Sequence, residues 1–293
     1  MKLNLRIYLF FITWLVSLLP ATANSDIKLF PDANNKYWIK SVPSAMRNDY
    51  IRLGASFIGK SWTPIKPELF AEFRTNGNRT NFEAESFAKR KQMTCLVMAE
   101  IMQQKGKFIP DICRGLHYFI EKEQWWGLPA HYPKDHPERD VQVVDLFNAE
   151  TASMLAWTTY MLGSQIDKAE SGLTDSVRSE IERRFLNPTL YNKQGWKDNV
   201  NNWNTWITSN WLECVMLCEK DEKKYNEAID GVKADLRVFL KGYPDDGGCE
   251  EGVDYWDRAG ASFFESIYFL DAIGKPLKLS EQQRDKVHNM GRF

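Results

Sequence analysis

The chain of 293 residues has no surplus of either charge. Its 38 Lys and Arg stand against 39 Asp and Glu, a formal net charge of −1. That balance excludes a uniformly basic nucleic-acid binder and an acidic disordered tail, each of which needs a large field of one sign. Wholesale disorder is excluded by 43% apolar and 13% aromatic residues, ample for a core. Almost nothing alternates with period two, so a strand-rich body is not expected. The sequence has no GxGxxG turn, Walker loop, HExxH helix or GxSxG elbow, which argues against the commonest dinucleotide, nucleotide, zinc-protease and α/β-hydrolase chemistries. Nor does it carry a tetratricopeptide-like short repeat.

Cysteine is scarce and odd in number: Cys95, Cys113, Cys214, Cys218 and Cys249. Five in so long a chain do not form a disulfide framework. Cys214 and Cys218 share a helical face, but no neighbouring His or Cys pair completes a zinc site, so no metal or other cofactor is assigned. They are expected to be small buried hydrophobes, with one bridge allowed in an oxidising compartment.

Lys2 and Arg6 precede an apolar run from Ile7 to Leu19, then Pro20, Ala21, Thr22 and Ala23. A cationic start, about a dozen apolar residues and a small-x-small end have the form of a secretory signal peptide. The run is shorter than the about 20 residues that span a bilayer. Residues 1–23 are therefore expected to be removed after Ala23, leaving an exported protein, periplasmic or secreted, with no membrane segment.

Residues 24–82 are expected to be an irregular segment leading into the main domain, 83–293. From there the pattern is helical. Ala84, Phe87, Ala88, Cys95, Met98, Ala99 and Met102 fall on one face of a helix stopping near Gly106. Further helices are expected over about residues 110–124, from Leu146 with Asp145 at its start, over 173–185 ended by Asn187-Pro188, through Trp203, Ile207, Trp211 and Val215, and over 221–240, 259–273 and 281–292. Lys89-Arg90-Lys91 and Glu182-Arg183-Arg184 are expected to be solvated helix faces. The fold class is all-α, from antiparallel helix pairs that stack as a bundle, a solenoid or a closed α/α toroid. The last helix runs to Phe293 without a cap or polar tail, so the natural chain is expected to continue.

Three segments exceed the needs of helix packing. Val200-Asn201-Asn202-Trp203-Asn204-Thr205-Trp206 holds three Asn and two Trp. One Asn would serve as a helix cap, whereas amides that both donate and accept also suit sugar hydroxyls and carboxylates. Tyr243-Pro244-Asp245-Asp246-Gly247-Gly248 is a turn by its own chemistry. It is followed by Glu250, Glu251, Asp254, Tyr255, Trp256, Asp257 and Arg258 before the next expected helix. The third segment, Trp125 to His131, places paired Trp and a His in a Pro-flanked loop, the kind of element that carries function on a rigid helical scaffold. The 11 Trp of the chain favour a carbohydrate ligand, since indole faces stack on sugar C–H faces as well as packing cores.

These segments, together with Asp145-Leu146-Phe147-Asn148-Ala149-Glu150-Thr151 leading to Leu155-Ala156-Trp157, occur in the order found in the heparinase II/III-like polysaccharide lyases. The likeness covers roughly residues 85–275. It implies an α/α toroid, the incomplete barrel of helix pairs, which in the family precedes a C-terminal β-sandwich. No strand-rich segment is present, so the chain corresponds to the toroid part.

The resemblance also implies a reaction, cleavage of a uronic-acid polymer by β-elimination. Such a reaction needs neutralisation of the uronate carboxylate, a base for the C5 proton and an acid for the leaving O4. It places Asn202 at the carboxylate and Tyr255 as general acid/base. A phenol with its ordinary pKa of roughly 10 serves as acid, and as base where a cation such as Arg258 lowers that value. Asn201, Trp203, Asn204, His131, Trp126, Glu251, Trp256 and Arg258 are the substrate-binding candidates, with Glu251 either orienting Tyr255 or binding a hydroxyl. The chain departs from some relatives in carrying Trp203 where they have His. The expected partner is a uronic-acid polysaccharide or oligosaccharide, unsulfated or lightly sulfated because no basic cluster stands out. Two other readings compete. An inverting hydrolase would use two of Asp145, Glu150, Asp245, Asp246, Glu250 and Glu251 and not need Tyr255. A non-catalytic glycan binder would show affinity without turnover.

Overall fold

A computed structural model describes residues 30–132 and 143–293. The expected signal peptide and its cleavage point lie outside these residues. Every regular element among the described residues is helical. Three helices, α1 (Tyr37–Ser41), α2 (Ser44–Ala55) and α3 (Pro67–Asn76), precede the long α4 (Thr80–Gln103). Next come α5 (Ile109–His117), running directly into a π turn at Tyr118–Lys122, and a short 3-10 turn at Pro129–His131. The chain continues with α6 (Leu146–Ala169), α7 (Leu173–Ile181), a second π turn (Glu182–Leu186) and α8 (Asn187–Tyr191). A 3-10 turn at Gly195–Asp198 leads to α9 (Asn202–Cys218), α10 (Glu222–Gly242), α11 (Val253–Ala272) and α12 (Glu281–Arg292). No described helix is long and apolar enough to cross a membrane.

The described chain forms two compact units. One comprises Phe30, Gly195–Ser209 and Gly231–Phe293; the other comprises Pro31–Gln194 and Asn210–Asp230. In the first, Phe239, Phe263, Phe269 and Leu236 are fully buried, and α12 begins with a reciprocal capping box between Ser280 and Gln283. In the second, α2 lies so close to α4 that a Cβ on Gly54 would sit 2.3 Å from the Cβ of Ala99, and only glycine fits.

Several expectations need correction. The stretch 24–82 is not irregular in its described part: it holds α1, α2, α3 and the start of α4. Its prolines look like breakers but start helices, Pro43 immediately before α2 and Pro67 in the first turn of α3, where a missing N–H leaves no bond unmade. Likewise Asn187-Pro188 does not end the helical run, because Pro188 stands in the first turn of α8 after the π turn. α11 begins at Val253, six residues before the expected start, so Tyr255, Trp256 and Arg258 are helical rather than loop residues.

The buried face of α4 also differs. Ala84 and Ala88 are exposed, while Phe82, Ser86, Arg90 and Met93 turn inward. Arg90 is therefore not a solvated charge. Its guanidinium lies against the adjoining rings of Phe87 and Phe147, 4.8 and 4.5 Å from their centroids, and donates to Glu150 at 2.6 Å. Arg184 is buried as well. It donates to Glu180 (2.8 Å) and to the Glu123 carbonyl (3.0 Å), with its guanidinium 4.7 Å from the Trp126 ring. A flat, weakly hydrated guanidinium packs readily against aromatic faces, which charge periodicity alone does not reveal.

Candidate functional site

The N-terminus of α9 carries the densest set of predicted residues. Asn201 is exposed and acts as a cap, its Oδ1 accepting the Trp203 N–H at 3.2 Å. Asn202 is 3% exposed. Its backbone N–H donates to Glu251 Oε2 and its Nδ2 to Glu251 Oε1, both at 2.9 Å, so one carboxylate spans two donors of one residue. Asn204 is fully buried, and its Nδ2 donates to the Lys197 carbonyl at 3.0 Å. In both amides the nitrogen faces an obligate acceptor, which fixes the orientation. The Oδ1 of each is buried with no hydrogen-bond partner among the described residues. Trp203 is half-buried.

Glu251 reaches α9 from the turn preceding α11, and that turn is held from behind by α12. The Lys286 ammonium accounts for much of this, donating to the carbonyls of Leu240 (3.1 Å) and Tyr243 (2.6 Å) and pairing with Asp245 at 2.9 Å. Asn289 adds a bond to the Asp245 carbonyl at 2.8 Å. Gly247 fits between, at φ +83°, where an added Cβ would lie 2.2 Å from the Asn289 carbonyl carbon. Gly247→Ala is accordingly expected to cost about 3 kcal/mol, from left-handed strain and backbone overlap together. Thermal or urea unfolding checks this, and a loss below about 1 kcal/mol would contradict the packing described.

Tyr255 lies in the first turn of α11, about half exposed. Its hydroxyl makes no hydrogen bond among the described residues, so it is open to solvent chemistry. Arg258, one helical turn on, places its guanidinium 4.1 Å from the ring centroid of Trp206. Thr205 Oγ1 donates toward the carbonyls of Arg258 (3.2 Å) and Ala259 (3.0 Å), joining the two helices beside the site. Trp256 turns the other way: its indole N–H donates to the Met290 carbonyl at 3.0 Å and its ring packs near Phe264. It holds α12 rather than offering a free face to a sugar.

In the second unit, Asp145 is 1% exposed and organises the Trp125–His131 loop. Its Oδ1 caps α6 through the Asn148 N–H (2.9 Å), and its Oδ2 accepts from the Leu128 N–H and from His131 Nδ1, each at 2.7 Å. The bond between Asp145 and Nδ1 fixes the orientation of the His131 ring. Trp126 is not a stacking face. It is 2% exposed, its N–H donates to the Phe119 carbonyl at 3.1 Å, and Arg184 lies against its ring.

Neither a scan of protein-family models nor a search of curated proteins returns a match to this chain.

One unit thus holds Asn201, Asn202, Glu251, Tyr255 and Arg258, with Asn202 and Glu251 in direct contact, while Asn204, Trp126 and Trp256 take structural roles. Sequence reasoning missed the direct Asn202–Glu251 bond and the parts of Thr205, Trp206 and Lys286. No local signal joins residues 49 positions apart. It also gave no role to Glu123, which takes a hydrogen bond from the Tyr118 hydroxyl beside a π turn. Burial pushes the Glu123 carboxyl up from 4.5 to about 7. The unfolded chain releases this proton near 4.5 and the folded chain near 7, so the native state loses stability as pH rises across that window. Glu123→Gln removes the term. Its stability relative to wild type is expected to improve by about 3 kcal/mol between pH 4 and pH 8, measured by urea unfolding at both.

Proposed function

We propose that this protein is an exported polysaccharide lyase of heparinase II/III-like character, built on an α/α toroid, that cleaves a uronic-acid polymer by β-elimination. One observation carries the reading: Asn202 presents two converging N–H donors that already grip a carboxylate, and the turn supplying that carboxylate leads directly into the helix that bears a solvent-accessible Tyr255. In the reaction, the Asn202 donors take the uronate carboxylate and stabilise the enolate-like charge that grows on it as the C5 proton leaves. Tyr255 serves as base and then acid: as a phenolate it takes the C5 proton, the C5–H electron pair forms the C4=C5 double bond, the C4–O4 bond breaks with its pair left on O4, and the phenol so formed gives its proton to O4. The reading rests on residues of one unit alone.

The hydrolase alternative is disfavoured by how its carboxylates are used. Asp145 caps α6 and holds His131, Glu150 pairs with Arg90, and Asp245 pairs with Lys286. Asp246 accepts the Gly248 N–H, which leaves only Glu250 and Glu251, adjacent residues of one turn, outside a fixed structural role. An acid and base pair flanking a glycosidic oxygen has to be less committed. The test is ultraviolet absorbance during incubation with a panel of uronic-acid polysaccharides. A 4,5-unsaturated uronate absorbs and a hydrolysis product does not. Rising absorbance is expected; new reducing ends without it would establish hydrolysis, and affinity without either would establish a binder.

A further inference from the structure

We propose that the two N–H groups of Asn202 form a carboxylate-binding site, filled in this structure by the protein's own Glu251, which an acidic sugar enters by displacing Glu251. The identity of the ligand as a uronate rests on the function proposed above; the displacement does not.

Four observations lead here. The Asn202 backbone N–H and Nδ2 meet the two oxygens of one carboxylate at 2.9 Å each, the paired-donor geometry by which carboxylates are recognised. The backbone donor belongs to the first residue of a 17-residue helix, whose positive end favours an anion. Second, Asn202 is only 3% exposed, yet its Oδ1 has no hydrogen-bond partner among the described residues. An acceptor left bare beside a carboxylate site asks for a hydroxyl, and a uronate carries hydroxyls next to its carboxylate.

Third, Glu251 is not needed to start the helix. Asn201 already caps it through the Trp203 N–H, whereas Glu251 comes from 49 residues away. Fourth, Glu251 is free to leave. It is exposed, and the next residue, Gly252, sits at φ +90° with nothing within 4 Å of an added Cβ. The rigid anchorage of the turn lies earlier, at Gly247 and Lys286, so rotating the Glu251 side chain outward disturbs no packing. Because the donors are neutral, they hold one carboxylate at a time, and a second is repelled by the first. Glu251 is thus a specificity-determining residue: only a ligand bringing its own carboxylate replaces it without leaving the donors unmet.

The experiment compares wild type, Glu251→Ala and Glu251→Gln, each checked for a native circular-dichroism spectrum and a cooperative unfolding transition above the assay temperature. Calorimetry measures binding of a glucuronate-containing tetrasaccharide and of its carboxyl-reduced, neutral counterpart. Glu251→Ala is expected to bind the acidic sugar at least tenfold more tightly than wild type, with the neutral sugar unchanged and Glu251→Gln intermediate. Equal or weaker binding by folded Glu251→Ala overturns the proposal and makes Glu251 a structural support of Asn202. Acetate titration, followed through the backbone and side-chain amide NMR signals of Asn202, separates the two ideas. Acetate shifts in Glu251→Ala but not in wild type, with neither sugar bound, uphold displacement and overturn the uronate reading. No acetate shift and no sugar preference in either variant overturn the site itself.

Discussion

Tyr255→Phe is expected to lower formation of the 4,5-unsaturated product by about 10³-fold, within the 10²–10⁴ range that a positioned acid or base contributes. That loss corresponds to about 4 kcal/mol of transition-state stabilisation. The substitution removes one oxygen and nothing else, because the hydroxyl has no partner among the described residues and the ring is about half exposed. Stability is expected to stay within about 0.5 kcal/mol of wild type. Loss of activity is therefore readable as chemistry rather than unfolding. In the proposed mechanism the residue delivers a proton in the transition state, so kcat should fall while KM changes little. Ultraviolet assays under saturating and limiting polysaccharide measure both. Retention of more than a tenth of wild-type kcat would remove Tyr255 from the mechanism.

The largest expected effect on stability is at Asp145. Asp145→Ala deletes the cap of the 24-residue α6 and the acceptor shared by the Leu128 N–H and His131. A lost cap costs about 1 kcal/mol, and each hydrogen bond to a charged group about 1.5–3 kcal/mol. Because the three share one carboxylate they do not add in full, and a total of about 4 kcal/mol is expected. Asp145→Asn keeps one acceptor oxygen and one cap, so about half that loss is expected. Urea unfolding followed by tryptophan fluorescence checks both, with Trp125 and Trp126 in the affected loop as reporters. If Asp145→Ala lost less than about 1 kcal/mol, the carboxylate would not be organising this loop.

Much of the helical body was legible from local rules. The Asp145 cap, the α12 span of 281–292 and the i+4 row of Ile207, Trp211 and Val215 needed only side-chain chemistry and helical spacing. Proline misled where it stood at a helix start, since the same ring ends one helix and opens another, and only the chain around Pro67 and Pro188 decides which. Charge misled at Arg90 and Arg184, where aromatic faces and carboxylates brought in by other helices outweighed the usual preference of arginine for water.

The candidate site divides along the same line. That Asn201-Asn202 and Glu251 to Arg258 carry unusual chemistry was plain from composition, because amides, carboxylates and a phenol are crowded there beyond what capping and packing require. The sequence by itself determined the all-helical character of the described residues and the short segments in which the candidate site groups lie, since helix periodicity, caps and turns depend on neighbours within a few residues. Only the tertiary structure decided which of those groups face one another: Glu251 on Asn202, Arg258 on Trp206, Asp145 on His131, and Trp256 turned to Met290 rather than to a ligand. Those pairings are set by the packing of one helix on the next, and the chain closing each loop leaves no local pattern that records them.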